Sequence, residues 1–510
     1  MNAPSRAVDA NAVSAIDADV DVDENDVDIV IVGAGISGIG AARALLRAGH
    51  RSLVILERAA SIGGTWRDNT YPGVAVDIPS AAYQFADTPA FPWSRTFAPG
   101  HEVLAYVKGV AVDVDAYVRC GVAVDHAAFD VDADRWVLSC SDGRTRRARV
   151  LIAATGLFTT PVVPPFPGRE RFAGPAFHSA RWQHDVDVRG KRVAVIGTGA
   201  SAAQIVPALA PTVAALHVCQ RTPIWIAPRF DLALGAPRMR RFAAWRALER
   251  FVVDVGIGVL TAAITAYRRA PWLVHVVQAL VRTWMNRQVN DPATRAALVP
   301  TYTLGCKRPT PSNTYLKAFN RPHVSLITTP IAALDERGIV FADGARVDVD
   351  VVVYATGFLT TERGTGPAFP VVGKHGRSLD DVFDAERLQS YRGVAVPGFP
   401  NFFLTGGPYA GGFNWFDALD ACVGQIVACL AECQRRGVRV VEVDVDAHAA
   451  WMAEMWRAAE GTVFLSAGCA GSRSYYTDRH GDAALPLPHT PAWRRRQLRG
   501  RETAGFTFRA

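Results

Sequence analysis

The chain has 510 residues, of which 20% are charged and 49% hydrophobic, with 43 glycines and 31 prolines. This profile excludes a disordered or fibrous protein, and the length exceeds what one hydrophobic core organises, so two or three domains able to bury large cofactors are expected. Lysine and arginine outnumber aspartate and glutamate by only 55 to 48, and phosphorylated small molecules, rather than nucleic acid, are the anionic partners this suggests.

Residues 1–26 carry seven acids against Arg6 alone and no apolar core. They read as a disordered leader, and as neither a secretory signal nor a transit peptide. Next, DVDIVIVGAGISGIGAARALLRAGH (26–50) is an apolar strand, a glycine turn and a small-residue helix. Gly33 permits the tight turn, Gly35 lets backbone approach a phosphate, and Gly38 lets the helix pack on the strand. In SLVILER, Glu57 lies 24 residues after Gly33, where an acid hydrogen-bonds ribose hydroxyls.

The pattern repeats at 190–210, GKRVAVIGTGASAAQIVPALA, with Gly197, Gly199 and Ser201, and with Ala202 in place of the third glycine. Counting the same 24 residues from Gly197 reaches Arg221 in ALHVCQRTP, followed by Thr222. A guanidinium binds the 2′-phosphate that a carboxylate would repel. Two turns of different charge character imply two dinucleotides, FAD at the first and NADPH at the second.

The expected fold is therefore α/β, with two Rossmann-like dinucleotide-binding domains, the second inserted in the first, and a helical insertion. LIAATG (151–156) and VVVYATG (351–357) read as the crossing points between domains. The boundaries follow: FAD domain 27–160 and 346–485, NADPH domain 161–231 and 301–345, helical insertion 232–300, basic tail 486–510. Within the insertion, VGIGVLTAAITAY (255–267) has 13 residues, too few to span a bilayer. WRRRQLRGR (493–501) reads as a solvated tail. The eight cysteines contain no CxxC, with Cys429 and Cys433 the closest pair. That suits a reducing cytoplasm and offers neither a redox dithiol nor a metal site.

Two longer motifs carry a resemblance. FAGPAFHSARW (172–182) and GGTWRDNTYPGVAVD (63–77) are similar to the fingerprints of the Baeyer–Villiger monooxygenases, a class B flavoprotein family, with Phe172, Gly174, His178 and Trp182 in register in the first. The second matches at Gly64, Trp66, Tyr71, Pro72, Gly73 and Asp77, with Thr65 between. The resemblance implies that NADPH reduces FAD, that a C4a-peroxyflavin forms with O2, and that its anion attacks a ketone to yield an ester or lactone. LGCKRPTPSNTY (304–315) resembles the family's Lys-Arg segment. By that likeness Arg308 is the catalytic cation, Asp77 orients it, and Lys307 joins Arg221 and Thr222 on the 2′-phosphate. Gly64, Thr65, Trp66, Tyr71 and Asp77 fall to the flavin, as do Gly406, Gly407 and Pro408 in NFFLTGGPYAGGFNWF (401–416). His178 is open between a chemical role and a role in domain coupling.

Gln183 and the run Ser474, Tyr475, Tyr476 depart from the family pattern and put the substrate range in question. The apolar, Trp-bearing insertion favours a hydrophobic ketone; monomer and homodimer are both open. Oxygenation of nitrogen or sulfur is the rival activity, and a non-oxygenating flavin module a remote one. A pyridine nucleotide–disulfide reductase is disfavoured by the cysteine spacing.

Overall fold

The computed structural model describes residues 25–89, 91–233 and 243–510. The expected leader falls on residues almost wholly outside these; Asp26 already opens the first strand.

That strand, Asp26–Val32, is the centre of an eight-stranded sheet, paired in parallel with Leu53–Glu57 on one side and Thr145–Ala153 on the other. Ile29, Val30 and Ile31 are all buried. A strand covered on both faces reads as an unbroken apolar run, which is why the DIVIV segment shows no alternation. The antiparallel strands Val124–Asp130 and Arg135–Cys140 extend the sheet, and Phe402–Leu404 returns late in the chain to pair with Thr145–Ala153.

The second sheet has five parallel strands in the order Val324–Ile327, Ala215–Cys219, Arg192–Ile196, Val351–Tyr354, Ala176–His178. One expected boundary is thereby corrected. Val351–Tyr354 pairs with Arg192–Ile196, so the second unit closes near residue 357 and not at 345. Each Ala-Thr-Gly instead wraps its own unit's glycine turn. A Cβ on Gly33 (φ 109°) would stand 2.5 Å from the Ala154 carbonyl oxygen, and one on Gly197 (φ 111°) 2.3 Å from that of Ala355. Only glycine tolerates that φ and that approach.

The two connections between units run side by side. Thr160–Pro161 pairs antiparallel with Phe358–Leu359, and the Val162 amide donates to the Gly357 carbonyl at 2.9 Å. The insertion supplies helices Ala243–Thr265, Pro271–Asn286 and Pro292–Leu298, whose inner residues Ile264, Val274, Met285 and Leu298 join the second unit's core.

Two further expectations are corrected. The basic C-terminal segment is no solvated tail: Thr490 caps helix Pro491–Leu498, and Phe506–Arg509 pairs antiparallel with Val440–Val443. The segment is anchored by contacts remote in sequence, with Arg494 of the charged run donating to the Ala410 carbonyl and Arg509 of the last strand to Asp134 at 3.0 and 2.5 Å. Cysteine pairing also differs, since Cys306 and Cys469, 163 residues apart, form a disulfide with Cα atoms 5.3 Å apart. Spacing along the chain carried no hint of it because the fold, not the sequence, brings the two together.

Candidate active site

A cavity of about 1580 Å³ lies between the units and is lined by both glycine turns. Helix Ile36–Arg47 begins at Gly35 and helix Ala200–Leu209 at Gly199. Neither has a side-chain cap or an acid in its first turn. Their first N–H groups are left for an anion, and the positive end of each helix dipole favours one. A Cβ on Gly199 would meet nothing within 4 Å, so the approach to that turn is open. Gly64 faces Gly35, where an added Cβ would come to 3.0 Å of the Gly35 Cα. The cavity's shape and donors thus fit two dinucleotides.

Glu57 is buried at the end of its strand, accepting from the amides of Ala34 (2.8 Å) and Ala59 (3.0 Å) and from Arg67 (3.0 Å). A carboxylate has lone pairs beyond these three for ribose hydroxyls. Thr65 opens the short helix Thr65–Asp68, and Trp66 donates from its indole to the Tyr83 hydroxyl at 3.1 Å, both on the cavity wall. Tyr71 sits differently from Trp66. It belongs to the second unit's core, its hydroxyl donating to Gln204 at 2.9 Å, while Gln204 donates to the Ala75 carbonyl at 2.9 Å. Ser201 stands one turn before Gln204 on the same helix and lines the cavity. The 64–77 loop is in this way docked on the helix that follows the second glycine turn.

Asp77 at the end of that loop meets Arg308. The guanidinium donates from Nε to Oδ2 at 2.5 Å and from Nη2 to Oδ1 at 2.7 Å, and Nη2 also donates to the Phe413 carbonyl at 3.1 Å. Burial works against the Arg308 charge, but the Asp77 carboxylate, aided by Tyr476 and Tyr475, holds its pKa above the ordinary value. The two tyrosine rings are 4.6 Å apart, and burial raises both phenols above their usual range.

Lys307 points to another cluster. Burial, and then the charges of Arg221 and Arg473, push its pKa down to about 8. The three cations on the cavity wall, with no acid among them, suit an anion. Thr222 closes the turn beside them, its carbonyl accepting from the Thr198 hydroxyl at 2.8 Å. Ala202 is buried on the inner face of helix Ala200–Leu209, and Gly407, on the cavity's other side, is packed so that a Cβ would come to 2.6 Å of Leu404.

His178 ends the edge strand Ala176–His178 of the second sheet, beside the connection at Gly357. Its Nδ1 accepts from the Ala180 amide at 3.1 Å, so Nε2 carries the proton and donates to the Gly357 carbonyl at 3.0 Å. Burial lowers its pKa. Arg473, Gln204, Tyr83 and the Phe413 carbonyl escaped sequence reasoning. Arg473 and the Phe413 carbonyl carry no local signal, whereas Gln204, three residues after Ser201 on the same helix face, was findable.

A family model described as pyridine nucleotide-disulphide oxidoreductase matches residues 30–236. A Baeyer-Villiger monooxygenase of Streptomyces coelicolor is 35% identical over 481 residues, covering 93% of this chain and 91% of its own. One from Pseudomonas aeruginosa is 34% identical over 448 residues, covering 87% and 84%. The solved structure of an oxidized steroid monooxygenase bound to NADP superposes with a TM-score of 0.84 at 29% identity, over 95% of this chain and 99% of that one. Fold and site together define a flavin-dependent oxidoreductase built on two dinucleotide-binding units. Within that class, the chain belongs to the Baeyer–Villiger monooxygenases.

Proposed function

We propose that the protein uses FAD and NADPH to insert one oxygen atom of O2 into a hydrophobic ketone, giving an ester or lactone. Atoms balance as ketone, O2, NADPH and a proton going to ester, NADP+ and water. The observation that carries this reading is Arg308, a guanidinium clasped by Asp77 inside the cavity that both glycine turns share.

When bound, FAD supplies the oxygen-activating chemistry and NADPH the electrons. Gly33, Gly35 and Gly38 shape the turn that seats the FAD pyrophosphate, and Glu57 takes its ribose. Gly64, Thr65, Trp66 and Gly407 line the way to its ring. Gly197, Gly199, Ser201 and Ala202 seat the second pyrophosphate. Arg221, Thr222 and Lys307, with Arg473, hold the 2′-phosphate. Tyr71 is a positioning residue that fixes the 64–77 loop through Gln204. Arg308 stays cationic through the reaction and stabilises negative charge as it develops on oxygen, with Asp77 fixing the plane of its fork. Phe413, Tyr475 and Tyr476 give the cation an apolar surround that excludes water.

The test is mass spectrometry of products from the FAD-loaded enzyme with NADPH and O2, offered cyclic, aryl and long-chain ketones beside one sulfide. An ester or lactone one oxygen heavier than its ketone is expected. Sulfoxide with no ester from any ketone would move the assignment to heteroatom oxygenation.

A further inference from the structure

The helices Ala243–Thr265 and Pro271–Asn286 form a hairpin whose two sides differ. Its inner side is committed: Ile257, Thr261, Ile264 and Thr265 line the catalytic cavity, and Gln278 accepts from the Leu304 amide at 2.9 Å. Its outer side presents Phe251, Val252, Val255 and Val259 from one helix and Trp272, Leu273, Val276, Val277 and Leu280 from the other. Val259 is 66% exposed, Trp272 63% and Leu280 67%. The spacings 251, 255, 259 and 272, 276, 280 put each set on one helical face. An outward apolar face of this extent marks an interaction surface and not scattered exposed residues.

Charge selects the occupant. Arg268 and Arg269 stand exposed at the turn between the helices and Arg287 at the far end of the second, whereas the Arg282 guanidinium is turned inward over the Trp225 ring; Asp254 is the one exposed acid between 251 and 287. A second copy docked by a two-fold axis would set these cations against themselves. An anionic bilayer complements them, receiving the apolar face while arginines meet the headgroups and Trp272 sits at the interface. Among the described residues no helix is long and apolar enough to cross a membrane, which leaves the hairpin to lie in the interface.

We propose that the outer face of this hairpin rests on an anionic lipid surface. The membrane is then separated from the catalytic cavity by one helix, Ala243–Thr265. This inference does not depend on which substrate is oxygenated.

The test is flotation of the full-length FAD-loaded enzyme with phosphatidylglycerol/phosphatidylcholine vesicles, phosphatidylcholine vesicles alone, and the mixed vesicles at high salt. Binding to the mixed vesicles alone, weakened by salt, is expected. Val259→Glu/Trp272→Glu/Leu280→Glu should abolish it. Arg268→Gln/Arg269→Gln should weaken it by roughly tenfold or more. Flavin absorbance and circular dichroism report that each variant is folded. No binding by the folded wild type, or equal binding by the glutamate variant, overturns the proposal. So does a wild-type dimer in analytical ultracentrifugation that the glutamate variant dissociates, with no vesicle binding, since the face would then belong to a second copy.

Discussion

Asp77 and Arg308, separated by 231 residues, meet through two near-parallel hydrogen bonds of 2.5 and 2.7 Å. The carboxylate comes from the loop docked on the second unit, and the arginine from the segment beside the Cys306–Cys469 disulfide. The Arg308 cation is thus held in place by contacts from both units at once.

Arg308→Ala should lower ester formation by roughly 10²-fold or more, the scale on which removing one oxyanion stabiliser acts. Anaerobic stopped-flow reduction of the flavin by NADPH should change little. Ester formation at the wild-type rate would remove the arginine from the chemistry.

In the proposed function Arg221 makes a charge-assisted contact to the 2′-phosphate, which Arg221→Ala removes. The Michaelis constant for NADPH should rise roughly 10- to 100-fold, that for NADH hardly at all. Steady-state kinetics with both coenzymes decides this, and equal effects would place the phosphate elsewhere.

Lys307 gives a pH dependence. Its pKa in the free protein is lowered to about 8, so the cation that a phosphate needs prevails below pH 8 and is lost as pH rises through it. A bound phosphate favours the charged form and raises that pKa, so binding takes up a proton near pH 8. Calorimetric titration with NADP+ should show affinity falling above pH 8, with proton uptake that depends on buffer ionisation. Lys307→Met should bind more weakly and without that fall. A pH-independent wild type would exclude Lys307 from the phosphate site.

Reduction of the Cys306–Cys469 disulfide releases a cross-link between residues 163 apart. A loss of about 2–5 kcal/mol is the usual scale for a native disulfide. Cys469→Ser and reductant should each lower the melting temperature, and reductant should not lower that of the variant further. Two freely alkylated thiols at these positions in the native oxidised protein would refute the pairing.

Much of the fold was legible because its signals are local. Gly33 and Gly197 each end an apolar strand and open a helix, and a count of 24 residues reached Glu57 and Arg221 without any knowledge of tertiary structure. The signal failed where partners are remote. Val351–Tyr354 is an apolar strand in any sheet, and only pairing with Arg192–Ile196 assigns it to the second unit. Phe506–Arg509 is too short to declare itself without Val440–Val443 beside it. Arg473 reached the Lys307 cluster by tertiary folding alone, and the Phe413 contact to Arg308 is made by a carbonyl, which residue identity never reveals.

The paired connections Thr160–Pro161 and Phe358–Leu359 place the two ends of the inserted unit within one hydrogen-bonded ribbon. A segment whose termini touch can be cut out, exchanged or circularly permuted without stretching the host. The chain therefore enters and leaves the inserted unit at one point, and a graft of that unit from a relative has to match the host only at this ribbon and at three cross-ties: Tyr71–Gln204, Asp77–Arg308 and Cys306–Cys469.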